Sequence, residues 1–93
     1  MKNLFNAFKK YMFGLKSWEI VDGRLKKKYT FDDFVQAMNF VNKLATIAEK
    51  LNHHPDIFIS YNKVEITLWT HEKNTLTTKD FTLAKEIEKI NPQ

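Results

Sequence analysis

A chain of 93 residues has room for one modest core, so two unrelated folds are excluded and a partner subunit is a natural way to bury more surface. Cysteine is absent, which removes disulfides, thiolate nucleophiles and Cys-based zinc sites, and fits a reducing compartment such as the cytoplasm. The formal charge of +4 and pI near 9.3 suit a solvated lysine-rich surface and fall short of a nucleic-acid footprint, and no run approaches the roughly 18 apolar residues of a membrane span.

The opening segment carries Lys9 and Lys10 where a signal core would lie and lacks a small-residue cleavage site, so it reads as part of the fold. Phe5, Phe8, Met12 and Leu15 recur at three and four, which predicts an amphipathic helix over residues 1–16, ended by Gly14 and packed on its own domain. A membrane surface is the alternative use of such a stripe. Two β-favouring runs joined by Asp22-Gly23 then predict a two-residue hairpin. On its second strand Arg24, Lys26 and Lys28 share one face, and Leu25 and Tyr29 share the other with Lys27.

Thr30 followed three residues on by Asp33 reads as a capping box opening a long helix. Its stripe is Phe34, Met38, Val41, Ala45 and Ala48, broadened by Phe31, Leu44 and Leu51, and Pro55 stops it near Asn52 to His54. Ile57 to Tyr61 reads as a strand, Asn62-Lys63 as a tight turn, and Lys63 to Thr70 as a strand with Val64, Ile66 and Leu68 facing the long helix. Thr77 with Asp80 repeats the Thr-x-x-Asp start, and Phe81, Ala84, Ile87 and Ile90 mark a last helix ending before Pro92. The order helix, hairpin, helix, hairpin, helix implies an α+β fold with one antiparallel sheet and the helices on one face, in a single domain over residues 1–93.

Only three histidines are present, each near an element end: His53 and His54 close the long helix, and His71 follows the last strand. If the second hairpin returns beside the helix end, all three imidazoles line one cleft, and imidazole exchanges protons near neutral pH. Glu49 lies one turn before His53, placed to orient or charge that ring. Taken singly, a histidine in a last helical turn is also explained by the helix dipole, and His71 by an ordinary polar strand end. Three histidines can also hold a metal, but the adjacent His53 and His54 project in different directions, whereas a ligand pair on a helix wants a spacing of three or four. With only Gly14 and Gly23, no phosphate-cradling glycine loop exists.

The stretch Glu49-Lys50-Leu51-Asn52-His53-His54-Pro55-Asp56, then Tyr61-Asn62-Lys63-Val64, Thr70-His71-Glu72, Leu76-Thr77 and Asp80, resembles the signature of pterin-4a-carbinolamine dehydratases. The likeness extends back through Phe31, Asp33, Phe34 and Ala37 to Trp18, so that residues 17–90 form the family-like core. It implies a four-stranded antiparallel sheet with three helices on one face, assembled as a homodimer or homotetramer. It implies a hydro-lyase that converts 4a-hydroxytetrahydropterin to quinonoid dihydropterin and water in tetrahydrobiopterin recycling, with no metal and no organic cofactor. By that resemblance His53 and His71 are the acid and base, His54 holds the pterin, Glu49 supports the cleft, and Asn52 and Thr70 complete the substrate contacts. Asp80 also matches a family position, with helix capping as its sufficient explanation.

Asn52, Ile57 and Asn74-Thr75 depart from the pattern, standing where an acidic residue, an aromatic and glycines are common in the family. The alternative function is a non-catalytic interaction module that stabilises a dimeric partner such as a transcription factor, a role some animal relatives have. Nucleic-acid binding through Arg24, Lys26 and Lys28 would need aromatics interleaved on the same face of that strand, and they are missing there.

Overall fold

The fold is that of a computed structural model, which describes residues 8–90. It grows from the Asp22-Gly23 turn, where both residues adopt positive φ, 52° and 73°, as a two-residue hairpin requires to match the strand twist. The turn joins β1 (Glu19–Val21) to β2 (Arg24–Thr30) with Val21 opposite Arg24. A second hairpin joins β3 (Asp56–Ser60) to β4 (Lys63–Leu68), and the antiparallel sheet has the order β1-β2-β4-β3.

Its two faces follow from the alternation of β4. Val64, Ile66 and Leu68 are fully buried against the helices, while Glu65, Thr67 and Trp69 turn the other way. Burying each of the three aliphatic side chains stabilises the fold by roughly 1.5–3 kcal/mol relative to exposure. Lys27 lies on the core side of β2, as the alternation requires, and is tolerated there because Glu88 meets its ammonium at 2.6 Å. Glu88 also accepts the indole N–H of Trp18 at 2.8 Å. Burial, and then the charge of Glu88, push the Tyr29 hydroxyl well above its ordinary pKa of 10.0.

The turn of the second hairpin differs from expectation. Tyr61, not Asn62, takes the left-handed conformation, with φ 52°, and Lys63 already belongs to β4. Asn62 is used otherwise: its amide donates to the Phe31 carbonyl at 2.8 Å, and its own carbonyl accepts the Phe31 N–H at 2.8 Å. That exchange fixes the exit of β2 before α1 (Phe34–Leu51).

The expected count of three helices is corrected to two. Among the described residues the α-helices are α1 and α2 (Thr78–Glu88), and no helix is long and apolar enough to cross a membrane. Where a helix over residues 1–16 was expected, Lys9–Met12 forms a single 3-10 turn; Phe5 and the start of that segment lie outside the described residues. The tighter turn has a packing reason: residues three apart share a side, which brings Phe8 and Tyr11 both to 5.3 Å from the Phe81 ring. Gly14, at φ 82°, then redirects the chain so that Leu15 is buried.

The first helix also starts later than expected, and of the expected stripe Leu44 and Ala48 are buried, as is Phe31 just ahead of the helix. Asp33, whose carboxylate accepts from the Gln36 N–H at 2.8 Å, is the N-cap, and Thr30 remains the last residue of β2. The buried line is Ala37, Phe40, Leu44 and Ala48, with Val41 beside it, while Phe34, Ala45 and Leu51 are exposed. The small Ala37 and Ala48 allow close approach, and the one large ring on the line, Phe40, packs on Tyr29 and Phe31 with centroids at 4.5 and 5.3 Å. On α2 the buried apolar residues are Phe81, Leu83, Ala84 and Ile87. Ile90 is only partly buried.

Candidate active site

The end of α1 decides where two of the histidines go. Asn52 adopts the left-handed conformation, φ 52° and ψ 41°, and its N–H bonds back to Ala48 and Glu49. The next N–H, of His53, bonds to the Ala48 carbonyl at 3.1 Å, closing the helix in the manner of a Schellman motif. Asparagine tolerates this conformation better than most residues. The helical spacing therefore ends before His53, and the expected pairing of Glu49 with that ring does not form. Glu49 Oε2 instead meets His54 Nε2 at 2.6 Å, an exposed pair.

His53 turns inward to α2. Its Nε2 lies 2.6 Å from Oδ1 of Asp80, which is fully buried, and the imidazole itself is only 13 % exposed. The other carboxylate oxygen of Asp80 accepts the Thr70 hydroxyl at 2.8 Å and the Thr77 N–H at 2.9 Å. The Thr70 and Thr77 hydroxyls share a further bond of 2.7 Å. Two donors converge on one oxygen of this carboxylate while the other faces the His53 ring, an arrangement that suits a group acting as acceptor. Facing such an acceptor, a neutral His53 ring would carry its proton on Nε2 and keep the lone pair on Nδ1.

His71 opens the 3-10 turn His71–Lys73 that follows β4, and Asn74, at φ 52°, returns the chain toward α2. Asparagine there supplies the left-handed residue for which a glycine would otherwise serve. His71 is about half exposed, with Nε2 4.0 Å from Asp56 Oδ1. Glu72, fully solvated, titrates below its ordinary carboxylate range, chiefly through its own backbone N–H and next through the charge of Lys79.

A cavity of about 160 Å³ collects these groups, lined by Asn52, His53, His54, Trp69, His71, Glu72 and Lys79. Two larger hollows, about 410 and 390 Å³, are lined largely by the open face of the sheet and contain no histidine. The smaller one holds the histidines. All three histidines and Asn52 reach it, Glu49 stands behind His54, and Thr70 is buried with its hydroxyl committed to Asp80 and Thr77. Trp69, Glu72 and Lys79 line the hollow and Asp56 meets Trp69 and His71 beside it, none of them having been assigned a role, although Asp56 and Glu72 stand in the signature. Asp80 matches a position of the family signature but reads as a cap, because a Thr-x-x-Asp start accounts for an acid at that position. Among the described residues no three His, Asp or Glu side chains have the arrangement of a metal site.

Residues 6–90 match the profile of a family described as "Pterin 4 alpha carbinolamine dehydratase". A protein of Nostoc punctiforme, named provisionally as a pterin-4-alpha-carbinolamine dehydratase, is 51% identical over 76 residues, covering 82% of each chain. One of Sulfolobus acidocaldarius with the same name is 39% identical over 85 residues, covering 91% of this chain and 93% of its own. The crystal structure of a "transcriptional coactivator/pterin dehydratase" from Brucella melitensis superposes with a TM-score of 0.82 at 34% identity, covering 89% of this chain and 90% of that one. A pterin dehydratase-like protein described as a RuBisCO assembly factor of the alpha-carboxysome shares the fold, with a TM-score of 0.66 at 24% identity over 77% of this chain and 86% of that one. This chain belongs to the pterin-4a-carbinolamine dehydratase family.

Proposed function

We propose that the protein dehydrates a 4a-hydroxytetrahydropterin to the quinonoid dihydropterin and water by acid–base catalysis between histidines. The observation that carries the reading is the convergence of His53, His54 and His71 on one hollow, with His53 held by a buried carboxylate. In the reaction a base removes the proton on N5 while an acid protonates the 4a-hydroxyl. The C4a–O bond breaks, the N5 electron pair closes the C4a=N5 bond, and water leaves. His53, with Nδ1 as its lone-pair nitrogen, suits the base, and the solvent-facing His71 suits the acid. His54, braced by Glu49, and Asn52 hold the pterin. Thr70 acts indirectly, by donating to Asp80.

Proton transfer by such groups contributes about 10²–10⁴-fold each. The test compares dehydration of synthetic 4a-hydroxytetrahydropterin by the native protein, His53→Ala and His71→Ala. Both variants are expected to lose rate on that scale, and equal rates for all three would remove the enzymatic reading. The alternative, an interaction module, draws on the exposed Phe34, Val35 and Phe58 and on the description of the Brucella relative as a transcriptional coactivator. The same apolar side chains, with the unpaired edge of β3, support a homodimer or homotetramer, which light scattering at micromolar concentration checks.

A further inference from the structure

At one wall of the hollow, formed by Trp69 and His71, lies a stack of planar side chains of which the reaction as written uses only His71. Arg24, the first residue of β2, holds its guanidinium carbon 3.7 Å from the centre of the Trp69 indole. The His71 ring centre lies 4.0 Å from the same indole, tilted by 53°. Both groups therefore pack against the indole within about 4 Å of its centre. The indole N–H donates to Asp56 Oδ2 at 2.9 Å, and the other oxygen of Asp56 is the one that stands 4.0 Å from His71 Nε2. Arg24 reaches the Asp22 carbonyl at 3.3 Å and Asn74 Oδ1 at 3.4 Å. The first hairpin turn and the loop after His71 are thus linked through this stack.

The core does not need these side chains: neither Arg24 nor Trp69 belongs to the hydrophobic cluster. Arg24 packs on Trp69, and Trp69 packs on His71, which is about half exposed and whose ring makes no hydrogen bond among the described residues. His53 is fixed by Asp80 and His54 by Glu49, so His71 lacks an equivalent anchor unless the stack supplies it. We propose that Arg24 and Trp69 are positioning residues for His71, setting the plane from which its ring exchanges a proton with the substrate. The proposal rests on the dehydratase reading above.

The experiment uses the full chain with Trp69→Ser, Trp69→Phe, Arg24→Gln and Arg24→Lys. It reads kcat and KM on synthetic 4a-hydroxytetrahydropterin, together with the proton resonances of the His71 ring. Trp69→Ser and Arg24→Gln are expected to lower kcat by about tenfold or more with KM nearly unchanged, since misplacing a reacting group acts on the chemical step. Trp69→Phe should recover most of the rate by restoring an aromatic face. Arg24→Lys should recover little, because an ammonium cannot stack as a planar guanidinium does. In the native protein the indole should shift the His71 ring protons upfield, and Trp69→Ser should abolish that shift. An unchanged kcat in folded Trp69→Ser, or a raised KM with kcat intact, overturns the proposal. If the native protein does not turn over the pterin, the dehydratase reading fails instead, and an unshifted His71 resonance still overturns the stack by itself.

Discussion

The same four-residue pattern, Thr-x-x-Asp, stands before both α-helices, and the two copies do different work. Before α1, Thr30 ends β2 and Asp33 is the cap, an exposed carboxylate serving one N–H. Before α2, Thr77 and Asp80 form the full capping box, and the acid is completely buried. A carboxylate that caps with one oxygen has the second one free. At Asp33 that oxygen has no protein partner among the bonds observed; at Asp80 it holds His53. Burial is what separates them, since a buried acid must have all its acceptor capacity met, and the available donor was an imidazole.

Substitutions that break this contrast should differ widely in effect. Asp80→Ala leaves the Thr77 N–H, the Thr70 hydroxyl and His53 without their acceptor, so we expect a loss of roughly 2–4 kcal/mol in urea unfolding together with loss of turnover. Asp80→Asn is the sharper probe, because it keeps the shape while presenting an amide donor to His53 Nε2 and so inverts the tautomer. Turnover should fall by about 100-fold or more in a protein that remains folded. Near-native turnover in a folded Asp80→Asn protein would reduce the buried copy of the motif to a cap like the other.

The far end of α2 provides a third carboxylate for the comparison. Glu88 lies beside Tyr29, whose hydroxyl is held neutral well above pH 10 by burial and then by that charge. A folded-state pKa raised above the unfolded one contributes stability below about pH 10 that is lost as pH rises toward the folded value, by up to about 1.4 kcal/mol per pH unit. Urea midpoints at pH 9 and pH 11 should therefore drop for the native chain and drop less for Tyr29→Phe. An identical drop in both would remove Tyr29 from the cause.

The exposed copy should give the smallest effects. Asp33→Ala should cost about 1 kcal/mol, as an ordinary cap does, with turnover intact. Thr30→Ala, though it sits in the same motif, should stay within about 0.5 kcal/mol because its hydroxyl caps nothing. A loss at Thr30 equal to that at Asp33 would restore the capping box that the sequence pattern suggested.

What was legible in the sequence was whatever depends on local periodicity. The alternation of Val64, Ile66 and Leu68, the Asp22-Gly23 turn and the placement of three histidines at element ends are each dictated within a few residues. What was hidden depends on how elements meet. The stripe of α1 is right for Leu44 and Ala48 and wrong for Phe34 and Leu51, which look like core by type, whereas the sheet is met by the line through Ala37 and Ala48. Glu49 seemed aligned with His53 because helical spacing was carried past Asn52, whose left-handed conformation ends that spacing. Asp80 was hidden by a sufficient local explanation, and the stack of Arg24 on Trp69 joins residues far apart in sequence.

The measurement that bears most directly on the central claim is the tautomer of His53, read from long-range ¹⁵N correlations at a pH where the ring is neutral. A proton on Nε2 with Nδ1 unprotonated is the predicted result, because the buried carboxylate of Asp80 accepts only from Nε2. A proton on Nδ1 with Nε2 bare would contradict the account, since Asp80 would then not be holding the ring for proton transfer.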